Sequence, residues 1–375
     1  MSKAIDFRPI ILAGGSGTRF WPRSRRARAK QVLALDGERT MIQRTVDRLQ
    51  PLAERDDFWV ITNDLLSPTI CGQLDVVPEE QIVCEPAARN TAPAAGLAAF
   101  LIEKTNPDAV LGIFPADHVI SDEAAFLAVL EHAIKIAAAG ENMVVLGVTP
   151  TRPETGYGYI ETGEAVADGV LRVRRFTEKP NQERAEEFVA AGNYHWNSGI
   201  FVWSARTLAN AVREHLPEMA PLLEEIAAAY GTGSGAGDFE RVFAELYPKC
   251  ENISVDYAIL EPRSAKGESR SHLYCLPAEF GWNDLGSWAA LYEHHRERNS
   301  NIDSHSNVSE SAGNVAIEAQ GNYVYSPKKL VALVGVHDLV VVETDDAILI
   351  TTRQHSQDVG KIVKELAARG KKDLI

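Results

Sequence analysis

Cysteine is scarce and scattered. The four residues, Cys71, Cys84, Cys250 and Cys275, form no CxxC pair. That argues against a disulfide framework or a clustered zinc site, and for reduced, buried or half-buried thiols in a reducing compartment. Long apolar runs are missing too. No stretch of about 18 apolar residues occurs, so no transmembrane helix is expected. Positive charge is in deficit: 38 Lys and Arg stand against 52 Asp and Glu, a formal net charge of -14. General nucleic-acid binding, which needs a basic face, is disfavoured. The opening MSKAIDFRPIILAGG passes directly into an apolar strand, without the length or cleavage site of a signal peptide. A cytoplasmic chain with neither a membrane nor nucleic acid as partner is the expectation.

What is present suffices for a large core: 375 residues, 45% of them hydrophobic. The first half alternates short apolar runs with helical patterns. FRPIILAGG, FWVITN, QIVCEP, AVLGIFPADH and NMVVLGV read as strands, and AAFLAVLEHAIKIAAAG as one of the intervening helices. Such alternation predicts an α/β domain with a mixed, mostly parallel sheet covered on both faces. Ligands bind beyond the carboxyl ends of such strands, where Gly14, Glu85 and Asp117 fall. Residues 155–180 predict antiparallel strands inserted in the same domain, and NSGIFVW another strand. Residues 205–263 read as helices broken by a flexible GTGSGAG at 231–237, and WAALYEHHRER as a further helix.

The polar stretch at about 298–313 breaks the pattern, which divides the chain into a domain over 1–298 and a small β-rich, β-helix-like domain over 299–375. NVAIEA, NYVYSP, LVALVGV, LVVVET and AILITT are its expected strands. Val359, Ile362, Val363 and Leu366 share one face of a final amphipathic helix.

ILAGGSGTRFWPRS, at 11–24, is the first motif that carries chemistry. A strand delivers the chain to Gly14, Gly15 and Gly17, which let backbone N–H groups converge on phosphate oxygens. No Gly-Lys-Ser/Thr follows, so it is not a P-loop. Phe20 stands where a dinucleotide fingerprint needs its third glycine, which disfavours a nicotinamide enzyme. Arg19, Arg23, Arg25, Arg26, Arg28 and Lys30 follow instead. Alone, the turn is a strand-to-helix connection with a solvated basic run. In so acidic a chain, the local cluster suits a triphosphate.

LAGGSGTRFWPRS followed by KQ resembles the sugar nucleotidyltransferase family in its guanylyltransferase form. CEPAARNTAPA, FPADH, TGYGYI, FTEKP, NSGIF and NDLGSW are similar to later motifs of that family, in its order, from about residue 14 to 288. The resemblance implies a Rossmann-like catalytic domain and transfer of GMP from GTP to mannose 1-phosphate, giving GDP-mannose and pyrophosphate with Mg²⁺. It places the nucleotide on Leu12, Ala13, Gly14, Gly15, Gly17 and Thr18, and the triphosphate charge on Arg19 and Lys30. One departure is Ala29, where the family has proline before the lysine.

The remaining motifs have their own chemistry. A carboxylate can accept both guanine donors, N1 and N2, which suits Glu85. Any of Glu85, Arg89 and Asn90 can face the base, though Asn90-Thr91 also reads as a helix cap. Asp117 after an apolar strand is placed for Mg²⁺, which takes one or two carboxylates with phosphate oxygens. His118 is expected to be structural. Asp284 lies in a turn that says little by itself; the family pattern pairs it with Asp117 on the metal. Gly156, Tyr157 and Gly158, with Glu178 and Asn197, are the implied sugar contacts, and Lys179 the partner of the incoming phosphate. Longer relatives carry an isomerase domain in the region beyond residue 300; no His-x-His cluster appears there, so no isomerase activity is expected. The β-rich unit can cap the site or form a homodimer contact, and the sequence leaves both open. The rival readings are another nucleotide or hexose, or a non-catalytic GDP-mannose-binding homologue.

Overall fold

A computed structural model describes residues 5–15, 17–167, 169–231 and 236–375. Ser16 of the glycine loop, the first four residues and most of the Gly/Ser stretch at 231–237 lie outside them. Fifteen strands are β1 (Phe7–Leu12), β2 (Trp59–Asn63), β3 (Ile82–Glu85), β4 (Val110–Pro115), β5 (Val119–Ile120), β6 (Met143–Val148), β7 (Tyr159–Ala167), β8 (Val170–Thr177), β9 (Tyr194–Ser204), β10 (Leu273–Pro277), β11 (Trp282–Asn283), β12 (Val308–Ile317), β13 (Tyr323–Val334), β14 (Leu339–Glu343) and β15 (Ile348–Thr352).

Nine of them form one sheet in the order β3-β2-β1-β4-β9-β6-β10-β8-β7. Only β8 and β9 run against the rest, so the sheet is mixed and mostly parallel, as the alternating pattern predicts. The antiparallel insertion expected at 155–180 is the β7–β8 pair. Helices cover both faces and supply two separate cores. Their starts are chemically fixed. Asp122, Asn181, Ser204 and Ser287 each accept a backbone N–H at a helix N-terminus, and Thr40 with Gln43 makes a reciprocal capping box. The helix Thr91–Glu103 is apolar almost all round, because the sheet holds one side and the helices Ala205–His215 and Ala220–Ala229 the other.

β1, β2, β3 and β4 are mutually parallel, so their carboxyl ends share one edge. Gly14, Glu85 and Asp117 are delivered there. A small ribbon completes this edge: β11 pairs antiparallel with β5, Asn283 opposite Val119. The turn before β5 holds Asp117 and the turn after β11 holds Asp284, so this ladder brings the two aspartates together across the chain.

The C-terminal strands form a four-stranded sheet, β12-β13-β14-β15. Successive strands β12, β13 and β14 are parallel, which gives a short solenoid-like winding. Asparagines brace it from within. Asn322 Nδ2 donates to Asn307 Oδ1 at 2.8 Å, and Asn322 Oδ1 accepts from the Leu339 amide at 2.8 Å. NYVYSP and LVALVGV, read as two strands, fuse into the single β13. The pairing with β12 shifts register between Ser311 and Gly313. A bulge therefore absorbs the Pro327-Lys328-Lys329 segment that reads as a turn. The polar stretch at 298–313 likewise ends inside β12 rather than before it. In the final helix, Val359–Ala368, Val359 is buried, Val363 and Leu366 pack inward, and Ile362 stays 38% exposed.

The winding packs on the segment after β1. Phe20, Trp21, Leu33, Trp288, Tyr323, Val340 and Val359 share one core. Phe20, in the place of a third glycine, stacks edge-on against Trp288 with centroids 4.9 Å apart.

Candidate active site

A cleft of about 540 Å³ opens at the carboxyl edge of the sheet, within the size range of small-ligand sites. Leu12, Gly14, Gly15, Glu85, Arg89, Asn90, Gly156, Tyr157, Gly158, Glu178, Asn197 and Asp284 line it. Arg19, Lys30, Asp117, Lys179, Ala13, Gly17 and Thr18 are not part of that lining.

The glycine loop is built so that its amides face out. Gln31, buried at 3% exposure, donates its side-chain amide to the carbonyls of Ala13 and Gly15, both at 2.8 Å. Thr62 Oγ1 adds a bond to the Ala13 carbonyl at 3.2 Å. With the carbonyls taken up, the amides of Gly14, Gly15 and Gly17 donate to no described residue and stay available to an anion. Gly17 has φ of 56°, and a Cβ there would sit 2.7 Å from the Lys30 amide nitrogen. Only glycine allows the loop to close on Lys30. Thr18 turns its hydroxyl toward Gly360 in the final helix. The Ala29 departure leaves this geometry in place: its φ of -70° is the angle a proline would impose.

Lys30 is 5% exposed. Its ammonium donates to Asp117 Oδ2 at 2.9 Å and to the Asp284 backbone carbonyl. Tyr157, expected among the sugar contacts, donates its hydroxyl to Asp284 Oδ1 at 2.7 Å. Each aspartate thus keeps one carboxylate oxygen without a partner among the described residues. Two hard oxygen donors, with room left for phosphate oxygens and water, fit Mg²⁺ chemistry. Lys30 and His118 hold the Asp117 carboxyl below its ordinary value against the opposing effect of burial. His118 Nδ1 accepts from Trp282 Nε1 at 3.1 Å. Burial lowers the His118 pKa, and the ring fixes the tryptophan of the cleft wall.

A second group surrounds Glu85. Burial pushes its carboxyl up to about 7, against the opposing hydrogen bond from Tyr247. Gly14 leaves the space in which Glu85 Oε2 lies, 3.1 Å from where a Cβ would stand. Arg89 bonds the Pro248 carbonyl, and its Nε is buried with no partner among the described residues. Asn90 caps the helix through its side chain, 2.8 Å from the Thr91 amide. Its φ of 68° and ψ of -169° belong to glycine's region, a strain on the order of 1–3 kcal/mol that often marks ligand sites.

The third group is Glu178, Asn197 and Asp256. Glu178 pairs with Lys179, whose side chain is 59% exposed and outside the cleft wall. Asn197 Nδ2 donates to Asp256 Oδ1 at 2.8 Å, and its Oδ1 accepts from the Gly199 amide. Burial, then the nearby Glu178 charge, raises the Asp256 carboxyl to about 7.

Sequence reasoning misses Asp256, Tyr247 and Gln31. Asp256 opens a π-helix, Asp256–Leu260, a form that recurs at functional sites. Its signal is an acid at the head of the apolar run DYAIL. Gln31 is visible only as the neighbour of Lys30, and Tyr247 carries no signal.

Residues 8–301 match the family described as Nucleotidyl transferase, and residues 312–366 one described as MannoseP isomerase/GMP-like beta-helix domain. The mannose-1-phosphate guanylyltransferase of Escherichia coli K12 is 39% identical, over 97% of this chain and 74% of its own. That of Salmonella muenchen is 36% identical, over 100% of this chain and 75% of its own. A solved structure from Thermus thermophilus, described as a mannose-1-phosphate geranyltransferase, superposes with a TM-score of 0.83 at 31% identity, covering 97% of this chain and 100% of that one. The chain is a nucleotidyltransferase and belongs to the family of the mannose-1-phosphate guanylyltransferases.

Proposed function

We propose that this cleft transfers GMP from GTP to α-D-mannose 1-phosphate, giving GDP-mannose and pyrophosphate, in the cytoplasm. The catalytic unit is 1–298 and the β-rich unit 299–375. One observation carries the reading: Lys30 ties the Asp117 carboxylate to the Asp284 backbone directly beside a glycine loop whose amides at Gly14, Gly15 and Gly17 have no partner among the described residues.

The sugar phosphate is already an anion at neutral pH, so its attack on the α-phosphorus needs no general base. The obstacle is the meeting of two polyanions, and positioning and charge overcome it. Gly14, Gly15 and Gly17 hold the triphosphate through their amides. Arg19 and Lys30 stabilise the departing pyrophosphate, and Lys179 draws in the sugar phosphate by swinging from Glu178. Glu85 accepts from the guanine N1 and N2 groups, with Arg89 and Asn90 beside it. Glu178, Asn197 and the backbone at Gly156 and Gly158 take the hexose hydroxyls. Asp117 and Asp284 would hold Mg²⁺, which when bound supplies positive charge at the α-phosphate and leaving-group oxygens.

A panel of nucleoside triphosphates against hexose 1-phosphates, scored by pyrophosphate release, tests the substrate pair. GTP with mannose 1-phosphate should lead. A clear preference for another pair overturns the assignment. Asp117→Ala or Asp284→Ala should lose nearly all turnover with an unchanged melting profile; wild-type turnover in either would remove the metal reading.

A further inference from the structure

Arg19 leaves the glycine loop between two side chains, only the second of which it bonds among the described residues. One is Asp284. A Cβ built on Gly286 would lie 3.3 Å from Arg19 Nη1 and 3.0 Å from Asp284 Oδ2. Both groups therefore border the space the absent side chain leaves, without an ion pair between them. The other comes from the far end of the chain: Arg19 Nη1 donates to Gln357 Oε1 at 3.0 Å.

Gln357 is exposed, but its backbone is anchored. It lies in the 3₁₀ turn Arg353–Asp358, between buried Ser356 and buried Val359. Val359 belongs to the core that contains Phe20, the residue after Arg19. The same C-terminal unit grips the loop at further points. Trp21 Nε1 donates to the Leu374 carbonyl at 2.7 Å, and Arg25 Nη2 to Asp346 Oδ1 at 2.9 Å. Arg23 lies 4.0 Å over the Tyr325 ring. The loop's basic arm is thus backed by the C-terminal winding and its tail.

An arginine beside a carboxylate tends to close on it as a bidentate pair. Here that would consume the charge of both groups. An amide oxygen accepts the same hydrogen bond without neutralising the cation. We propose that Gln357 is a positioning residue: it holds Arg19 off Asp284, aimed at the triphosphate with its charge uncompensated. The C-terminal unit then contributes to nucleotide handling without touching the reacting atoms. This rests on the reading of Arg19 as a triphosphate contact.

The test is a double-mutant cycle in the full chain, with melting temperatures recorded: Arg19→Ala, Gln357→Ala and both together. Gln357→Ala should lower kcat/KM for GTP roughly three- to tenfold, the size of one hydrogen bond. KM for mannose 1-phosphate and the melting temperature should stay unchanged. In the double variant, Gln357→Ala should add nothing to the loss from Arg19→Ala. Gln357→Glu, which neutralises Arg19, should lose at least as much as Gln357→Ala. Additive losses, or a Gln357→Ala variant with unchanged kcat/KM for GTP, overturn the proposal. If Arg19→Ala alone has no effect, the Arg19 assignment fails first, and that result is distinct from the other two.

Discussion

Lys30 Nζ lies 2.9 Å from Asp117 Oδ2, so the cation proposed to meet the triphosphate and the carboxylate proposed to hold the metal occupy each other before any substrate arrives. Their two roles are opposed in the free protein. A cation on Asp117 weakens the attraction of that oxygen for a second cation. Lys30→Met should therefore bind Mn²⁺ more tightly in the absence of nucleotide, while turnover falls by at least about a hundredfold. The fold should lose only on the order of 1 kcal/mol, because the Asp117 side chain is 35% exposed and can rehydrate. Mn²⁺ titration with steady-state kinetics checks both signs. Weaker Mn²⁺ binding in Lys30→Met would remove Asp117 from the metal.

The Gln31 amide makes the second coupling. It is what turns the loop carbonyls inward and leaves the amides outward. Gln31→Leu keeps much of the shape and removes both bonds. The Ala13 carbonyl keeps only Thr62, and the Gly15 carbonyl is freed to rotate toward the anion. Unfolding free energy should fall by about 1–3 kcal/mol, and the Kd for GTP should rise tenfold or more. Denaturant melts and calorimetric titration separate the two effects. Loss of stability with unchanged Kd would show that the loop keeps its orientation without Gln31.

Glu85 gives the site a pH dependence. Its carboxyl, raised to about 7 mainly by burial, is largely protonated in the free protein below that pH. A protonated acid cannot accept from both guanine donors. Affinity for GDP-mannose, whose diphosphate has no group titrating near neutrality, should drop as pH falls through 7, by up to about tenfold per unit. Folding of the free protein should follow the opposite trend. A raised carboxyl pKa favours folding below the unfolded value of 4.5, and that contribution is lost as pH rises to 7. Asp256 titrates in the same range, so Glu85→Gln and Asp256→Asn are compared. Glu85→Gln should flatten the profile more if guanine recognition dominates. An unaltered profile in that variant would move the base contact to Arg89 or Asn90.

The legible parts of the molecule are the local ones. Apolar runs give β1, β2, β3, β4 and β6, and glycine spacing gives the phosphate loop. Asn90 announces its helix start because capping is decided within a few residues. The parts that stay hidden depend on distant partners. Tyr157 is a sugar contact only by the family resemblance of TGYGYI, and its hydroxyl goes to Asp284 through a ribbon formed by β5 and β11. Asp256 is hidden because a π-helix inserts a residue that no 3.6-residue pattern displays. Tyr247 meets Glu85, and Gln357 meets Arg19, only after the chain has closed. The fusion of two expected strands into β13 has the same origin: a bulge is set by the partner strand, and Pro327 alone looks like a turn.

Ala29 allows the loop's backbone to be tested without touching its chemistry. The residue is fully buried, with φ of -70° and ψ of 170°, and its amide donates no hydrogen bond to a described residue. A proline fits that angle and removes no bond. Arg28, the residue before it, lies in a bridge with Arg25, outside the helical region that a following proline disfavours. Ala29→Pro restricts the unfolded chain more than the folded one. It should raise unfolding free energy by about 0.4–1 kcal/mol, with kcat and both KM values unchanged. Thermal and urea unfolding measure the gain. A loss of stability would mean that the ring meets the buried neighbours of Ala29, and a loss of kcat that the Lys30 position depends on the freedom an alanine gives the chain before it.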